Sequence, residues 1–167
     1  AATTPTFIDA PALALNTPAN DTVTVGGANY YKVSVTAGET LKLTLTGPAA
    51  DSLDLVGTFA SVPNRSDFDF RGVPLLAASQ TLTIPDTQAG DYYFLVYGDA
   101  ASNGSIAYTL TATIVPFAIT GVERSAFSNA GPATLKITGS QFSRDTTFEL
   151  LGPGDTVESM IVMRKKI

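Results

Sequence analysis

Hydrophobic and polar residues alternate along most of this chain with the two-residue period of a β-strand. The segments "YYKVSV", "TLKLTLT", "QTLTIP" and "IAYTLTATI" each place apolar side chains on one face and mainly threonine or other polar side chains on the other. Such alternation is typical of antiparallel sheets with one buried and one solvated face. Turn signals such as "VGGAN", "TAGE", "TGPAAD" and "PDTQAGD" separate these segments. Short strands divided by such turns predict an all-β fold, an antiparallel β-sandwich.

The segment "GDYYFLVYG", from Gly90 to Gly98, is apolar on both faces. Residues two apart on a strand point to the same side, so the segment has two separate phases. We predict that the first phase is buried in the core. The second phase forms either a ligand-binding platform or a seat for a second domain. The first phase holds Tyr92, Phe94 and Val96, and the second holds Tyr93, Leu95 and Tyr97.

A domain boundary is predicted near Pro116. The most apolar stretch, "IAYTLTATIVPFAITGV", is interrupted by alternating threonines and by Pro116, which favours a strand, a linker and a second strand over a membrane-spanning helix. We therefore assign residues 1–115 to a β-sandwich and residues 116–167 to a second β unit. The second unit has roughly 50 residues, too few for a self-sufficient sandwich. It is truncated, completed by another chain, or packed on the first unit.

Composition excludes several chemistries. The 167 residues include no histidine and no cysteine, which rules out Ser-His-Asp triads, Cys-His nucleophiles, histidine-ligated zinc and thiolate metal sites. Asp67 and Asp69 are too close in sequence to act as a glycosidase pair across a sugar bond. The net charge is −5, with no basic run before Arg164, which argues against nucleic-acid binding. We predict that the chain is not an enzyme.

Composition and the first residues also indicate a compartment. Charged residues make up 15% of the chain, below the roughly 25% that is usual for soluble proteins. The opening "AATTPTF" is similar to a mature end left by signal-peptide cleavage at a small-residue site. We predict a secreted, extracellular or cell-surface protein without a membrane span.

The order of motifs resembles the bacterial pre-peptidase C-terminal domain. The residues that carry the resemblance are "GGANYYKVSVTAGETLKLTLTG", "SLDLVGTF", "QTLTIPDTQAGDYYFLVYG" and "IAYTLTATI", within roughly residues 8–115. They follow the family pattern of an aromatic pair, an Ala-Gly turn, a Leu-rich strand, an acidic segment and an Ala-Gly-x-Tyr-Tyr strand. The resemblance implies a jelly-roll-like antiparallel β-sandwich attached to exported enzymes. Some members of the family bind collagen or other insoluble polymers, and some bind calcium.

The remaining segment "ITGVERSAFSNAGPATLKITGSQFS" is similar to the opening of an IPT/TIG immunoglobulin-like domain. A proline common in the first turn of that family is missing, where "ERSAF" stands, and the later strands are absent. The resemblance implies a partial immunoglobulin-like β unit after the sandwich. Both families are usually non-catalytic.

Aspartates in two loops are candidate metal ligands. Asp-x-Asp spacing can place two carboxylates on one side of an extended segment, as calcium requires. If calcium binds, Asp51, Asp54 and Asp69 are the expected ligands. In calcium-binding members of the resembled family, an N-terminal Glu-Pro-Asn-Asp-like stretch contributes, whereas the corresponding region here carries only Asp9. We favour the alternative that these aspartates accept backbone hydrogen bonds in turns, and we predict no cofactor.

Aromatic residues are the stronger binding candidates. Exposed tyrosines on a sheet can stack on sugar rings or grip extended polypeptide, because each ring offers a rigid apolar face with a polar tip. The alternative is that these rings pack under loops or against the second unit. The candidate ligand-binding residues are Tyr30, Tyr93, Leu95, Tyr97, Phe68 and Phe70.

The end of the chain suggests a second type of function. The segment "TVESMIVMRKKI" contains a strand-like run, Met160 to Met163, without an evident partner. Unpaired strands add to sheets of other chains. Our leading hypothesis is an accessory module that adheres to an extracellular protein or polysaccharide polymer, or a spacer in a larger secreted protein. The alternative is a self-assembling filament subunit that joins neighbouring copies by β-strand addition.

Overall fold

The computed structural model describes residues 10–124, 135–142, 146–150 and 161–164. These residues form β-strands and no helix, and no segment among them is a helix that could cross a membrane. In chain order the strands are β1 Ala19–Thr24, β2 Ala28–Val35, β3 Leu41–Thr46, β4 Ser52–Phe59, β5 Phe70–Arg71, β6 Ser79–Ile84, β7 Gly90–Ala100, β8 Ser105–Ile114, β9 Ala118–Arg124, β10 Leu135–Ser140, β11 Thr147–Leu150 and β12 Ile161–Arg164.

The chain divides into two compact units, Ala1–Val115 and Pro116–Ile167. In the first unit, a first sheet has the strand order β1-β8-β3-β6 and a second sheet has the order β2-β7-β4-β5. All neighbouring strands in these two sheets are antiparallel. This is the strand order of an eight-stranded jelly roll, in which two Greek keys build two packed sheets. The predicted jelly-roll-like antiparallel β-sandwich is confirmed.

The hydrophobic core lies on the inward phases of both sheets. On β3 the inward leucines Leu41, Leu43 and Leu45 are fully buried, while the alternate positions hold Lys42 and threonines. The threonine-rich phase of the first sheet faces solvent, as the alternation predicts. The other members of the core cluster include Val23, Tyr31, Val33, Leu53, Leu55, Leu82, Ile84, Tyr92, Phe94, Val96, Ile106 and Leu110.

The segment "GDYYFLVYG" forms most of β7, which lies between β2 and β4 in the second sheet. Its first phase is buried in the core, as predicted: Phe94 and Val96 are fully buried and Tyr92 is 2% exposed. Steric constraints explain why the segment closes with glycine at position 98. A Cβ atom at this position would lie 2.4 Å from the carbonyl oxygen of Thr24, so only glycine lets the connection from β1 to β2 pass against β7.

A hydrogen-bonded cluster of side chains crosses between the two sheets. The Tyr31 hydroxyl on β2 donates to Oδ2 of Asp21 on β1 at 2.7 Å, and its oxygen lies 2.5 Å from the Tyr108 hydroxyl on β8. Because the single proton of Tyr31 goes to Asp21, Tyr108 is the donor in the second bond. Asn29 Nδ2 donates to the Tyr108 oxygen at 2.9 Å. Burial, with the hydrogen bond that Tyr31 donates to Asp21, raises the pKa of Tyr31 well above its usual range, and burial also raises the pKa of Tyr108.

The described residues of the second unit form two antiparallel strand pairs, β9 with β10 and β11 with β12. The prediction that the run ending at Met163 lacks a partner is wrong, because Ile161–Arg164 pairs with Thr147–Leu150. Met160 lies outside the described residues. The immunoglobulin-like assignment of this unit stays a prediction, since two strand pairs do not identify that fold.

Candidate functional site

The outward side of the second sheet carries three tyrosines, and we call this surface the tyrosine face. Tyr30 lies on β2, and Tyr93 and Tyr97 lie on the neighbouring strand β7. The register pairs Tyr30 with Leu95, which lies between Tyr93 and Tyr97. Paired residues and residues two apart share one side of a sheet. The three tyrosines, each partly exposed, therefore occupy one surface of two adjacent strands.

Two of the predicted binding residues, Leu95 and Phe70, do not belong to the exposed part of the tyrosine face. Leu95 is 2% exposed and lies beside Val56, its partner on β4, which is 1% exposed. Both are absent from the core cluster, so they are covered on the outward side of the sheet. Phe70 pairs with Gly57, on the inward phase of β4, and its ring packs 6.1 Å from the ring of Tyr92. Leu95 is therefore not exposed to a ligand on this surface, whereas Phe70, predicted as a loop residue, is half-buried and packs against the core.

The loop between β4 and β5 folds over one end of the tyrosine face. Its tip is a tight turn in which Asn64 and Asp67 exchange backbone hydrogen bonds of 3.0 and 3.3 Å. The Asn64 side chain also accepts the backbone N–H groups of Ser66 and Asp67, at 2.8 and 2.9 Å. This turn carries Arg65, whose guanidinium carbon lies 4.0 Å from the centroid of the Tyr97 ring.

A buried carboxylate lies beneath the loop. Asp54 is 1% exposed, and Arg71 donates from Nε and Nη2 to its two oxygens at 3.0 Å each. Arg65 Nε lies 3.5 Å from Asp54 Oδ2, and Arg65 Nη2 donates to Asp99 Oδ1 at 2.9 Å. The guanidinium carbon of Arg71 lies 5.6 Å from the Phe68 ring centroid. Phe68, a predicted binding residue, is thus half-buried beside an arginine of this cluster.

The candidate metal ligands do not form a metal centre. Within the described ranges, no group of three or more acidic side chains is arranged to hold a metal ion. Asp54 is occupied by guanidinium groups, and Asp69 Oδ2 accepts the backbone N–H of Phe59 at 3.1 Å. Asp51 lies in a turn closed by its own N–H, which donates to the carbonyl of Pro48 at 3.0 Å. The structure therefore does not bring Asp51, Asp54 and Asp69 together.

Sequence reasoning missed the basic residues of this surface. Residues 10–115 contain four Lys and Arg side chains. Three of them, Lys32, Arg65 and Arg71, border the tyrosine face, and Lys42 lies on the outward side of the first sheet. The sequence did hold one signal for these residues, namely that basic side chains are rare in the first unit. A few basic residues in a weakly charged unit are candidates for specific ion pairs or ring contacts.

The far end of the tyrosine face carries an ion pair. Lys32 Nζ lies 3.3 Å from Asp91 Oδ2, and the Ser34 hydroxyl donates to Asp91 Oδ1 at 2.5 Å. The Ser34 hydrogen bond and the pair with Lys32 lower the pKa of the Asp91 carboxyl. Asp91 therefore stays ionised and holds Lys32 against β7.

Two surface depressions are formed without the three tyrosines. One of about 430 Å³ is lined by residues of β1, β3 and β8, and one of about 370 Å³ is lined by residues that include Leu15 and Ile114. Neither is lined by Tyr30, Tyr93 or Tyr97. Tyr30, Tyr93 and Tyr97 thus belong to the open surface of the sheet and to neither depression.

Residues 27–98 match the family model of the bacterial pre-peptidase C-terminal domain, a non-catalytic module of secreted proteins. This match runs from just before β2 to the Gly that closes "GDYYFLVYG". No curated protein matches the chain. The IPT/TIG resemblance of the second unit has no corresponding match among these findings.

Two solved structures share the fold of the first unit. The pre-peptidase C-terminal domain of a collagenase from Bacillus anthracis is 19% identical, with a TM-score of 0.50, over 63% of this chain and 95% of that domain. CorA, a surface-associated copper-binding protein of Methylomicrobium album BG8, is 11% identical, with a TM-score of 0.50, over 65% of this chain and 98% of that protein. At these identities the likeness shows the sandwich fold alone.

Proposed function

We propose that this chain is a non-catalytic accessory module of a secreted protein and that its tyrosine face adheres to an insoluble protein or polysaccharide polymer. The family match over residues 27–98 supports the accessory role. The absence of histidine and cysteine from the sequence supports a role without Ser-His-Asp or Cys-His nucleophiles and without histidine- or thiolate-ligated metals.

The placement of the three tyrosines on one outward surface is the observation that carries this proposal. Tyr93 and Tyr97 are four residues apart on β7, a separation of about 13 Å along a strand. Tyr30 lies across from the position between them. A row of rings of this length suits repeating units of an extended polymer better than a single small molecule. Tyrosines favour such contacts because they bury a large rigid surface at low cost in side-chain entropy.

A pull-down on insoluble polymers tests adhesion. Collagen is the first polymer to test, because one structural neighbour is a domain of a collagenase, and chitin and cellulose follow. We expect Tyr93→Ala and Tyr97→Ala each to lower the affinity about tenfold, since buried aromatic anchors dominate binding energy.

Thr111→Ala is the matched control, because Thr111 is also partly exposed but lies on the outward side of the first sheet. It should leave binding unchanged. If the wild type binds none of the polymers, the adhesive function is contradicted and the spacer function is the one that is left. If the tyrosine variants bind as tightly as the wild type, the polymer binds to a surface other than the tyrosine face.

Assembly with neighbouring copies is a second candidate function, supported by the strand pairs of the second unit. As described, β9–β10 and β11–β12 are sheets of two strands each, and such sheets are marginal unless further strands or a packing partner cover them. Strands from another copy would complete them. Light scattering after size-exclusion chromatography decides this, since a strict monomer at high concentration removes the assembly candidate.

A further inference from the structure

We infer that Arg65 is a built-in competitor at Tyr97: its guanidinium occupies the position where a ring of the polymer would stack. This inference rests on the proposed adhesive role of the tyrosine face. In the free protein the Arg65 guanidinium carbon lies over the Tyr97 ring, 4.0 Å from its centroid, and covers that face of the ring. A polymer therefore has to displace Arg65 before it can use this tyrosine.

The contacts of Arg65 hold it in place without locking it. Its Nη2 donates to Asp99 at 2.9 Å, and both side chains of this pair are about one-third exposed, at 39% and 30%. Exposed ion pairs are weak and are screened by salt. The guanidinium–ring contact is of similar strength at a partly exposed site. Together the ion pair and the ring contact keep Arg65 over Tyr97 in the free protein. They are weak enough for a stacking ring of the ligand to replace them.

The buried carboxylate beneath the loop does not oppose this displacement. Asp54 keeps its bidentate partner Arg71, at 3.0 Å from each oxygen, when Arg65 moves away. The Arg65 contact to Asp54 is longer, at 3.5 Å. Displacement of Arg65 therefore leaves no buried charge unpaired, and Asp99, already partly exposed, is hydrated by water.

The other two tyrosines differ in this respect. Within the described residues, no guanidinium lies over the ring of Tyr30 or Tyr93. A polymer can thus engage these two rings directly and reach Tyr97 last. Arg65 therefore makes binding to the tyrosine face selective for ligands long enough to span from Tyr93 to Tyr97. A shorter ligand held at Tyr93 does not reach the Tyr97 ring, so it gains no contact by displacing Arg65.

Hydroxyl-radical footprinting with peptide mass spectrometry tests the covering of Tyr97 without any polymer. The chain has six tyrosines and no tryptophan or cysteine, so the aromatic signals are simple. Tyr97 should be labelled more slowly than Tyr30 and Tyr93 in the wild type, and at a similar rate in Arg65→Ala. Lys42→Ala removes one positive charge from the opposite sheet and should change none of these rates.

The polymer pull-down supplies the second arm. If Arg65 competes with the ligand, Arg65→Ala should raise the affinity about two- to fivefold, the strength of one exposed cation–ring contact. The double variant Arg65→Ala, Tyr97→Ala should lose this gain. Lys42→Ala should bind like the wild type. Thermal unfolding of each variant confirms that it is folded, which we expect because Asp54 retains Arg71.

The outcomes separate this inference from the proposed function. Unchanged labelling of Tyr97 in Arg65→Ala overturns the covering, whatever the polymer does. Faster labelling combined with unchanged or weaker polymer binding overturns the competition and makes Arg65 a ligand contact. Faster labelling with no polymer bound by any variant overturns the adhesive role of the face, and the competition with it, and leaves only the covering.

Discussion

The carboxylate of Asp54 is 1% exposed and lies on the side of the second sheet that points away from the core. In the sequence it belongs to "DSLDL", and its spacing from other aspartates suggested a metal ligand. The fold instead places two arginines beside it, 11 and 17 residues further along the chain. An aspartate in a polar loop and one buried between guanidiniums look alike in sequence, because the difference depends on what the loop folds onto.

Because Asp54 pairs with two arginines, replacing its carboxylate is expected to lower the free energy of unfolding substantially. Asp54→Asn should lower the free energy of unfolding by about 2–3 kcal/mol, less than for a fully buried pair because both arginines reach water. Urea denaturation measures this. Asp67→Asn is the control, since Asp67 is exposed, and it should change stability by less than about 0.5 kcal/mol. Equal effects of the two substitutions would contradict the role of Asp54 as the anchor of the loop.

The cluster of Tyr31, Tyr108 and Asp21 shows how three strands from two sheets are tied together. Both tyrosines belong to the inward phases that alternation predicts, so their burial was expected. Their mutual contact was not, because it joins β2 to β8, 77 residues apart. Burial raises the pKa of both hydroxyls, so the folded state holds their protons more tightly than the unfolded chain does.

This difference predicts instability in alkali. The stabilisation is complete below the pKa of an unfolded tyrosine, about 10, and is lost progressively as the pH rises above it, since only the unfolded chain then releases the protons. Urea midpoints measured from about pH 9 to about pH 11.5 should fall in the wild type. Tyr31→Phe should weaken that fall.

Tyr93→Phe separates this effect from the titration of other groups. Tyr93 lies on the tyrosine face and is partly exposed, so its removal should leave the alkaline loss of stability unchanged. If Tyr31→Phe and Tyr93→Phe follow the same pH profile as the wild type, the hydrogen-bonded cluster is not the source of the pH dependence.

At the level of elements, the sequence predicted more about strands than about loops. Strict alternation identified β2, β3, β6 and β8 and their buried faces, since the phase of a strand is a local property. The phase of β7 was also correct, and of its outward residues Tyr93 and Tyr97 are partly exposed while Leu95 is not. Leu95 is buried on that side because neighbouring segments cover it, and no local pattern encodes such cover.

At the scale of the whole molecule, the core cluster lies entirely within the first unit. The last strand of the sandwich ends at Ile114, and the N–H of Val115 still donates to the carbonyl of Thr40 at 2.9 Å. The interruption of the apolar stretch by Pro116 predicted a boundary near this residue. The elements that bury the apolar surface of the sandwich thus all precede residue 116.

A chain that ends at Val115 is therefore expected to fold by itself. Its thermal unfolding should be cooperative and should match the transition of the first unit in the full chain, because no member of the core cluster is removed. It should also retain polymer binding, since the tyrosine face lies within residues 30–97. Calorimetry and the pull-down measure these properties. A non-cooperative or strongly destabilised transition would show that the second unit contributes to the fold of the first.

The sequence by itself determined the fold class, the buried phase of each regular strand and the excluded chemistries. These follow from alternation, turn residues and composition, which act within a few residues or over the whole chain. Only the tertiary structure decided which outward residues remain accessible. The burial of Leu95, the packing of Phe70 on Tyr92, the two arginines on Asp54 and the guanidinium on Tyr97 all depend on segments that are distant in sequence. Such contacts join residues distant in sequence, and their geometry exists only once both sheets and the loop between β4 and β5 are in place.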